Sequence, residues 1–397
     1  MDAVEKLSLL SSQMIYEPAE DRGPSGISLP CGTRPAYGTV HPGVKPNQHM
    51  PVISQAVMPN GRRISLLKTL LTSACERNCY YCPFRAGRDF RRQTFKPDEL
   101  AAVFNGLLQA GIAEGLFLSS GLVGGGSATQ DRLIATAEIL RTRFQYRGYL
   151  HLKLMPGIEM SQVERAMQLA NRVSLNLEAP NSSRLEKLAP AKFFMDELLQ
   201  PLRWVDEIRR QMPAHMGWHG RWPSMTTQFV VGGAGESDLE LLETTLRLHR
   251  NLRLARAYFS AFKPIPGTPL ENLPAEEPVR ERRLYQASFL LRDYGFDLSE
   301  LPFNTAGALP LSLDPKLAWA QQNLSEQPVE INQADKALLL RIPGIGPRGA
   351  RSILAARRSQ RISGVDDLRR LGINPARLAP YVLFNGKKPP AQLPLFV

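Results

Sequence analysis

No run of apolar residues in this 397-residue sequence approaches the roughly 20 that a membrane-spanning helix needs. The first residues, MDAVEKLSLLSSQ, lack a basic stretch followed by an apolar one, so no signal peptide is expected. Cysteine is scarce, four residues in all, which excludes a disulfide-stapled scaffold. Acid is in the minority: 37 Asp and Glu stand against 49 Lys and Arg, for a formal charge of +12. The expectation is a cytoplasmic protein with no membrane partner and an affinity for polyanions.

The charge is uneven. From Ser325 to Val397 there are twelve Lys and Arg against five Asp and Glu, a net +7 in under a fifth of the chain. A solvated basic surface would look the same, but a nucleic-acid backbone is the natural partner for such a segment.

Residues 1–60 are rich in Pro and Gly without sustained periodicity and read as an irregular extension. Further on, short apolar strands at 65–71, 116–120, 149–154, 173–178, 226–231 and 258–262 alternate with amphipathic helices at 97–110, 131–144, 161–170, 195–211 and 236–249. That alternation implies parallel strands with crossover helices. Six units are too few for a closed eight-stranded barrel, so the expected fold is α/β, a partial (β/α)6 TIM-like barrel over 61–315. Its chemistry is expected at the carboxyl ends of the strands. Within the third and fourth strands, His151 and Lys153, then Ser174, Asn176 and Glu178, alternate with apolar residues and are expected to line the interior. A small all-α domain follows at 326–385, then a tail at 386–397.

Three of the four cysteines fall within eight residues, Cys75-Glu-Arg-Asn-Cys79-Tyr-Tyr-Cys82, just after the first of these strands. Three thiolates on one loop suit three irons of a cubane cluster, leaving the fourth iron open. Zinc wants four ligands, and Cys31 is a candidate for the fourth, so a zinc site stays in view. CERNCYYC resembles the radical S-adenosylmethionine (SAM) signature, with Tyr81 at its aromatic position. LFLSSGLVGGG, SLNLEAPN, QFVVGGAGE and FKPIPGTPLE resemble further elements of that superfamily, in the same order. The resemblance implies a [4Fe–4S] cluster on Cys75, Cys79 and Cys82, SAM as cosubstrate and an electron donor such as flavodoxin or ferredoxin. It also implies that Ser119, Ser120 and Gly121 meet the methionine end, although the usual Gly-Gly-Glu is absent. Lys153 would balance the carboxylate, Asn176 and Glu178 would hold the ribose, and Val231 and Tyr81 would pack near the adenine. One cysteine beyond the loop is too few for an auxiliary cluster. Cys31 is a candidate hydrogen-atom donor, as a cysteine is in spore photoproduct lyase.

LRIPGIGPRGA (340–350) resembles the helix-hairpin-helix motif, with a weaker copy at 368–377. Here Asn332 is expected to cap the first helix. Gly344 and Gly346 would turn the chain, the amides of Ile345, Gly346 and Arg348 would cradle phosphate, and Arg348 and Arg351 would add charge. The terminal Gln392-Leu393-Pro394-Leu395-Phe396 resembles the peptide by which bacterial repair proteins dock on the sliding clamp. Together these resemblances imply a member of the DNA modification/repair radical SAM family. An RNA-modifying enzyme of the same chemistry, and a non-catalytic DNA-binding scaffold with a structural metal, are the competing readings.

Overall fold

The computed structural model describes residues 2–16, 51–58 and 61–389. Cys31 and the terminal Gln392–Phe396 peptide lie outside them. By internal contacts the chain divides into two compact units, Met1–Gly235 with Arg250–Glu276, and Glu236–His249 with Glu277–Val397. The expected boundary fell later, between 315 and 326. Among the described residues no helix is long and apolar enough to cross a membrane.

The first unit is built on one sheet of seven strands whose spatial order follows the chain. Strand β1 (Ile53–Val57) runs antiparallel to β2 (Arg63–Leu70). Strands β3 (Gly115–Ser119), β4 (Tyr149–Lys153), β5 (Arg172–Ser174), β6 (Ser224–Val231) and β7 (Arg256–Ala261) then add in parallel. Six parallel strands joined by helices form the partial barrel. Crossovers are α2 (Pro97–Gln109), α3 (Gly125–Thr142), α4 (Met160–Leu169) and α5 (Ser182–Leu188) with α6 (Gln200–Gln211), while α7 (Asp238–Leu252), which joins β6 to β7 along the chain, groups mostly with the second unit. All six expected strands are present.

The N-terminal 60 residues are not wholly irregular. Asp2 and Glu5 cap each other's backbone amides and start the helix α1 (Ala3–Ser12), which buries Leu7 and Leu10. With β1 this gives the segment regular structure that its Pro and Gly content hides.

Alternation along the strands separates two faces. Leu116, Leu118, Leu150, Leu152, Val173, Phe229 and Phe259 fill the face toward the helices, all fully buried. The opposite face carries Lys68, Ser119, His151, Lys153, Ser174, Thr226 and Gln228, also buried. Buried polar groups must pair with one another. His151 Nε2 meets Ser174 Oγ at 2.7 Å, and the Lys153 ammonium donates to Asn176 Oδ1. The expected polar interior is present.

The second unit holds α8 (Pro278–Asp293), α9 (Pro315–Asn323), α10 (Lys336–Arg341), α11 (Pro347–Ala356) and α12 (Val365–Arg370). It is not all-α: β8 (Val329–Glu330) pairs in parallel with β9 (Val382–Leu383). That bridge ties the two ends of the hairpin region over a core of Ile331, Leu339, Ile345, Ile353, Leu368 and Val382.

Candidate active site and helical hairpin

The loop after β2 carries Cys75, Cys79 and Cys82, all free thiols. Two receive backbone amides: Leu122 N–H donates to Cys75 Sγ at 3.5 Å and Phe84 N–H to Cys82 Sγ at 3.4 Å. Burial raises the Cys79 thiol pKa, opposed by the nearby Lys192 ammonium, and burial likewise pushes Cys82 up. Buried thiols of this kind ionise when a metal supplies the compensating positive charge. Among the described residues no three His, Cys, Asp or Glu converge as a single-metal site requires. A cubane takes one thiolate per iron, so three thiols spaced along a loop with amides on two of them fit it.

The loop is clamped from two sides. On one, Gly121 N–H donates to Thr72 O at 2.7 Å and Glu76 N–H to Leu122 O at 2.8 Å. The Glu76 carboxylate then accepts from Gly124 N–H at 2.9 Å and Gly125 N–H at 3.0 Å, at the start of α3. A Cβ on Gly121 would sit 2.1 Å from Ala74 O, and one on Gly126 1.9 Å from Pro156 O. These two glycines are therefore required by close backbone approach. Sequence reasoning missed Glu76, although a carboxylate just after the first cysteine and a run of glycine amides were both visible.

On the other side, Tyr80 N–H donates to Leu188 O at 2.7 Å, and Arg77 pairs with Glu197 at 2.5 Å and donates to Ala191 O. Residues Phe194–Leu199 form one turn of π-helix leading into α6. Such turns recur at functional sites.

Glu178 closes the site. Its backbone takes φ +65°, in the left-handed region, and its buried side chain pairs with Lys192 at 3.1 Å through Oε1. Oε2 makes no hydrogen bond of good geometry among the described residues, with the Tyr81 hydroxyl the group that interacts with this carboxylate. A strained backbone and an orphaned buried carboxylate oxygen are features of a group arranged to receive a ligand. Tyr81 is half-buried close by, and desolvation, the Glu178 charge and a hydrogen bond to Glu178 hold its hydroxyl protonated well beyond the usual range. Lys192 was not foreseen: nothing in APAKFF resembles a motif.

Ser119 lies in the interior, but its carbonyl accepts from Leu71 N–H, and Ser120 Oγ donates to Gly121 O. Val231 points to the helix-facing side with Phe229, since it stands three residues beyond the inward Gln228, and its carbonyl accepts from Phe262 N–H at 2.8 Å. The structure thus brings together Cys75, Cys79, Cys82, Tyr81 and Glu178, with Lys153 paired to Asn176.

In the second unit α10 and α11 are joined by Ile342–Gly346, with Gly344 at φ +85°, a conformation only glycine adopts cheaply. The cap of α10 is Asp335, which accepts from Leu338 N–H at 2.7 Å. Asn332 does not cap it: its amide instead bonds Ile362 O and accepts from Ile362 N–H. Ile345 is fully buried and its N–H donates to Ile342 O at 3.2 Å, so that amide is not offered outward. The remaining first-turn amides, Gly346, Arg348 and Gly349, have no acceptor within the helix. Arg348 and Arg351 are exposed, whereas Arg357 is held by Ile331 O and Ala334 O. The second copy is degenerate: after Gly372 two 3-10 turns, Pro375–Arg377 and Ala379–Tyr381, stand where a second helix would be.

Behind the hairpin, Lys316 donates to Ile345 O and lies 4.7 Å from the Tyr294 ring centroid. Desolvation lowers its pKa to about 7 from 10.5, with Asp314 opposing and Arg377 assisting. The unfolded chain binds this proton more tightly, so unfolding resistance should rise with pH between about 7 and 10.5 and be weakest below that window. Thermal melts across it should show a gain of up to about 1 kcal/mol per pH unit, which Lys316→Met flattens.

No family model matches the chain. Among curated proteins it is similar to the tRNA-2-methylthio-N(6)-dimethylallyladenosine synthase of Tropheryma whipplei (strain Twist), 27% identical over 220 residues, 53% of this chain and 44% of the relative. It is similar also to the enzyme of that name from Lachnoclostridium phytofermentans, 24% identical over 220 residues, 52% and 44% respectively. The chain thus spans less than half the length of these relatives. Among solved structures, methylornithine synthase (PylB) matches with a TM-score of 0.45 and 16% identity over 58% of this chain and 63% of that one. The hydrogenase maturase HydG matches at 0.44 and 11% over 57% and 49%.

Proposed function

We propose that this member of the radical SAM superfamily cleaves S-adenosylmethionine at a [4Fe–4S] cluster held by Cys75, Cys79 and Cys82, and acts on a nucleic acid. The carrying observation is the loop of three free thiols, two of them receiving backbone amides, beside the orphaned oxygen of Glu178. A [4Fe–4S] cluster held by these three thiols would supply the one-electron reduction that cleaves SAM and starts hydrogen abstraction from a substrate. The chain's residues do the rest. The Leu122 and Phe84 amides would stabilise sulfur charge, Glu178 and Asn176 would accept from ribose hydroxyls, and the Lys153 ammonium, bonded to Asn176, would balance the methionine carboxylate.

For the polymer, RNA is the first reading, in place of the DNA expected from the sequence: the curated relatives are named for a tRNA modification. Their sulfur insertion is not carried over, since only one cysteine of this chain lies outside the cluster loop. The second reading is repair or modification of DNA, favoured by the hairpin between α10 and α11. A flavodoxin or ferredoxin is the proposed electron donor, and a sliding clamp a proposed partner of the terminal peptide.

Anaerobic assay of 5′-deoxyadenosine with transfer RNA, single-stranded DNA and duplex DNA separates the readings. Stimulation by RNA alone supports the first, and stimulation by DNA alone replaces it with the second. No 5′-deoxyadenosine under any reducing condition overturns the radical chemistry. The hairpin has its own expected result. Arg348→Ala with Arg351→Ala should weaken duplex binding at low salt and reduce the slope of log affinity against log salt by about 2.

A further inference from the structure

The mouth of the barrel carries an exposed aromatic ring on a fixed backbone. Phe193 is 65% exposed, the most of any large apolar residue among those described, and Met195 beside it is 45% exposed. Isolated apolar side chains on a surface are common. This one differs in how firmly it is held. Lys192 N–H donates to Ala189 O at 2.9 Å, Phe193 N–H to Glu197 Oε2 at 2.9 Å, and Glu197 is paired with Arg77 of the cluster loop. The neighbouring Lys192 side chain reaches Glu178. The ring is therefore presented next to the candidate active site by a segment that cannot fold it away cheaply.

Across Arg77 lies an arginine-rich loop. Residues 76–92 hold five Arg against one Glu and one Asp, a net +3 that the pairing of Arg77 with Glu197 lowers to +2. Ala86 N–H donates to Arg77 O at 2.8 Å, which binds that loop to the same arginine. Arg92 donates to the carbonyls of Ser73, Phe84, Arg85 and Arg88, and Arg88 to those of Pro83 and Pro266. Carbonyls are neutral, so these bonds fix the guanidinium groups without cancelling their charge. A positive rim with one apolar ring is too small for a protein partner, whose interface needs about 1,000 Å² or more. It matches the combination by which single strands are held: a basic track for phosphates and an aromatic face for a base.

We propose that Phe193, with Met195 beside it, is a stacking platform for one unpaired nucleobase at the mouth of the barrel, the arginine-rich loop drawing in the flanking phosphates. This rests on the reading that the chain acts on a nucleic acid, and it narrows the substrate to a looped-out or single-stranded nucleotide. Radical chemistry on a base needs such a nucleotide, because a stacked and paired base is out of reach.

The test uses the full chain with its cluster reconstituted and short single-stranded oligonucleotides containing 2-aminopurine, one ribo and one deoxyribo. Wild type and Phe193→Tyr should quench the probe on binding. Phe193→Ala should bind about tenfold more weakly and lose the quenching, while melting at the wild-type temperature because the ring is exposed. If Phe193→Ala binds and quenches as wild type does, the platform is overturned and the nucleic-acid reading stands. If wild type binds neither oligonucleotide nor duplex, both fall together.

Discussion

Alanine in place of Cys75, Cys79 or Cys82 is expected to leave a folded chain that retains little iron and makes 5′-deoxyadenosine only at background. Each thiolate serves one iron, and the loop has no spare ligand: among the described residues the three cysteines are the free thiols. The loss should reach several orders of magnitude in turnover, because the electron path ends with the cluster. Iron analysis, the visible absorbance of the reconstituted protein and chromatography of the nucleoside measure it. A variant that kept wild-type iron and turnover would remove the loop from the active site. The barrel itself should survive, since the loop's hold on Leu188, Ala191 and Glu197 runs through Arg77 and Tyr80, not through sulfur.

Gly121→Ala is expected to have the next largest effect, and it acts through the backbone that carries Cys75. The added methyl would meet Ala74 O at 2.1 Å, Ala74 C at 2.9 Å and Cys75 Cβ at 3.2 Å, so the backbone carrying Cys75 has to move. Overpacking of this kind costs about 1–3 kcal/mol, more where backbone is the obstacle. Melting temperature and iron content should fall together. Gly106→Ala is the control: nothing lies within 4 Å of its Cβ, and within α2 alanine favours helix by up to about 1 kcal/mol. Equal melting temperatures for Gly121→Ala and wild type would mean the two loops are not in contact.

The barrel strands were legible because parallel strands covered on one side by helices read as short apolar runs, and because their inward residues are polar at every second position. The fourth expected strand shows where that signal misleads. Alternation continues to Glu178, yet regular pairing stops at Ser174, because Leu177 N–H turns to Thr227 Oγ1 and Glu178 adopts a left-handed backbone. Periodicity records which way side chains point and is blind to a turn that preserves the alternation. α3 begins at Gly125, earlier than expected, since a helix opening on glycines is invisible to propensity. The cysteine loop was legible from spacing. Glu76, Arg77, Lys192 and Glu197 were not, because the partners that give them meaning are distant in sequence: Arg77 and Glu197 stand 120 positions apart. The hairpin's turn was readable from its glycines. Which amides stay available was not, since the bond from Ile345 to Ile342 depends on packing.

Strand order that follows chain order has a consequence for biogenesis. Each new strand finds its neighbour already made, so a growing chain can extend the sheet from its amino-terminal edge as it leaves the ribosome. The cysteine loop emerges early, but Leu188, Ala191 and Glu197 arrive more than a hundred residues later. Until then the loop lacks the second of its two clamps. A chain cut before residue 188 would keep the clamp from Gly121 and Leu122 and lack the one on Arg77 and Tyr80.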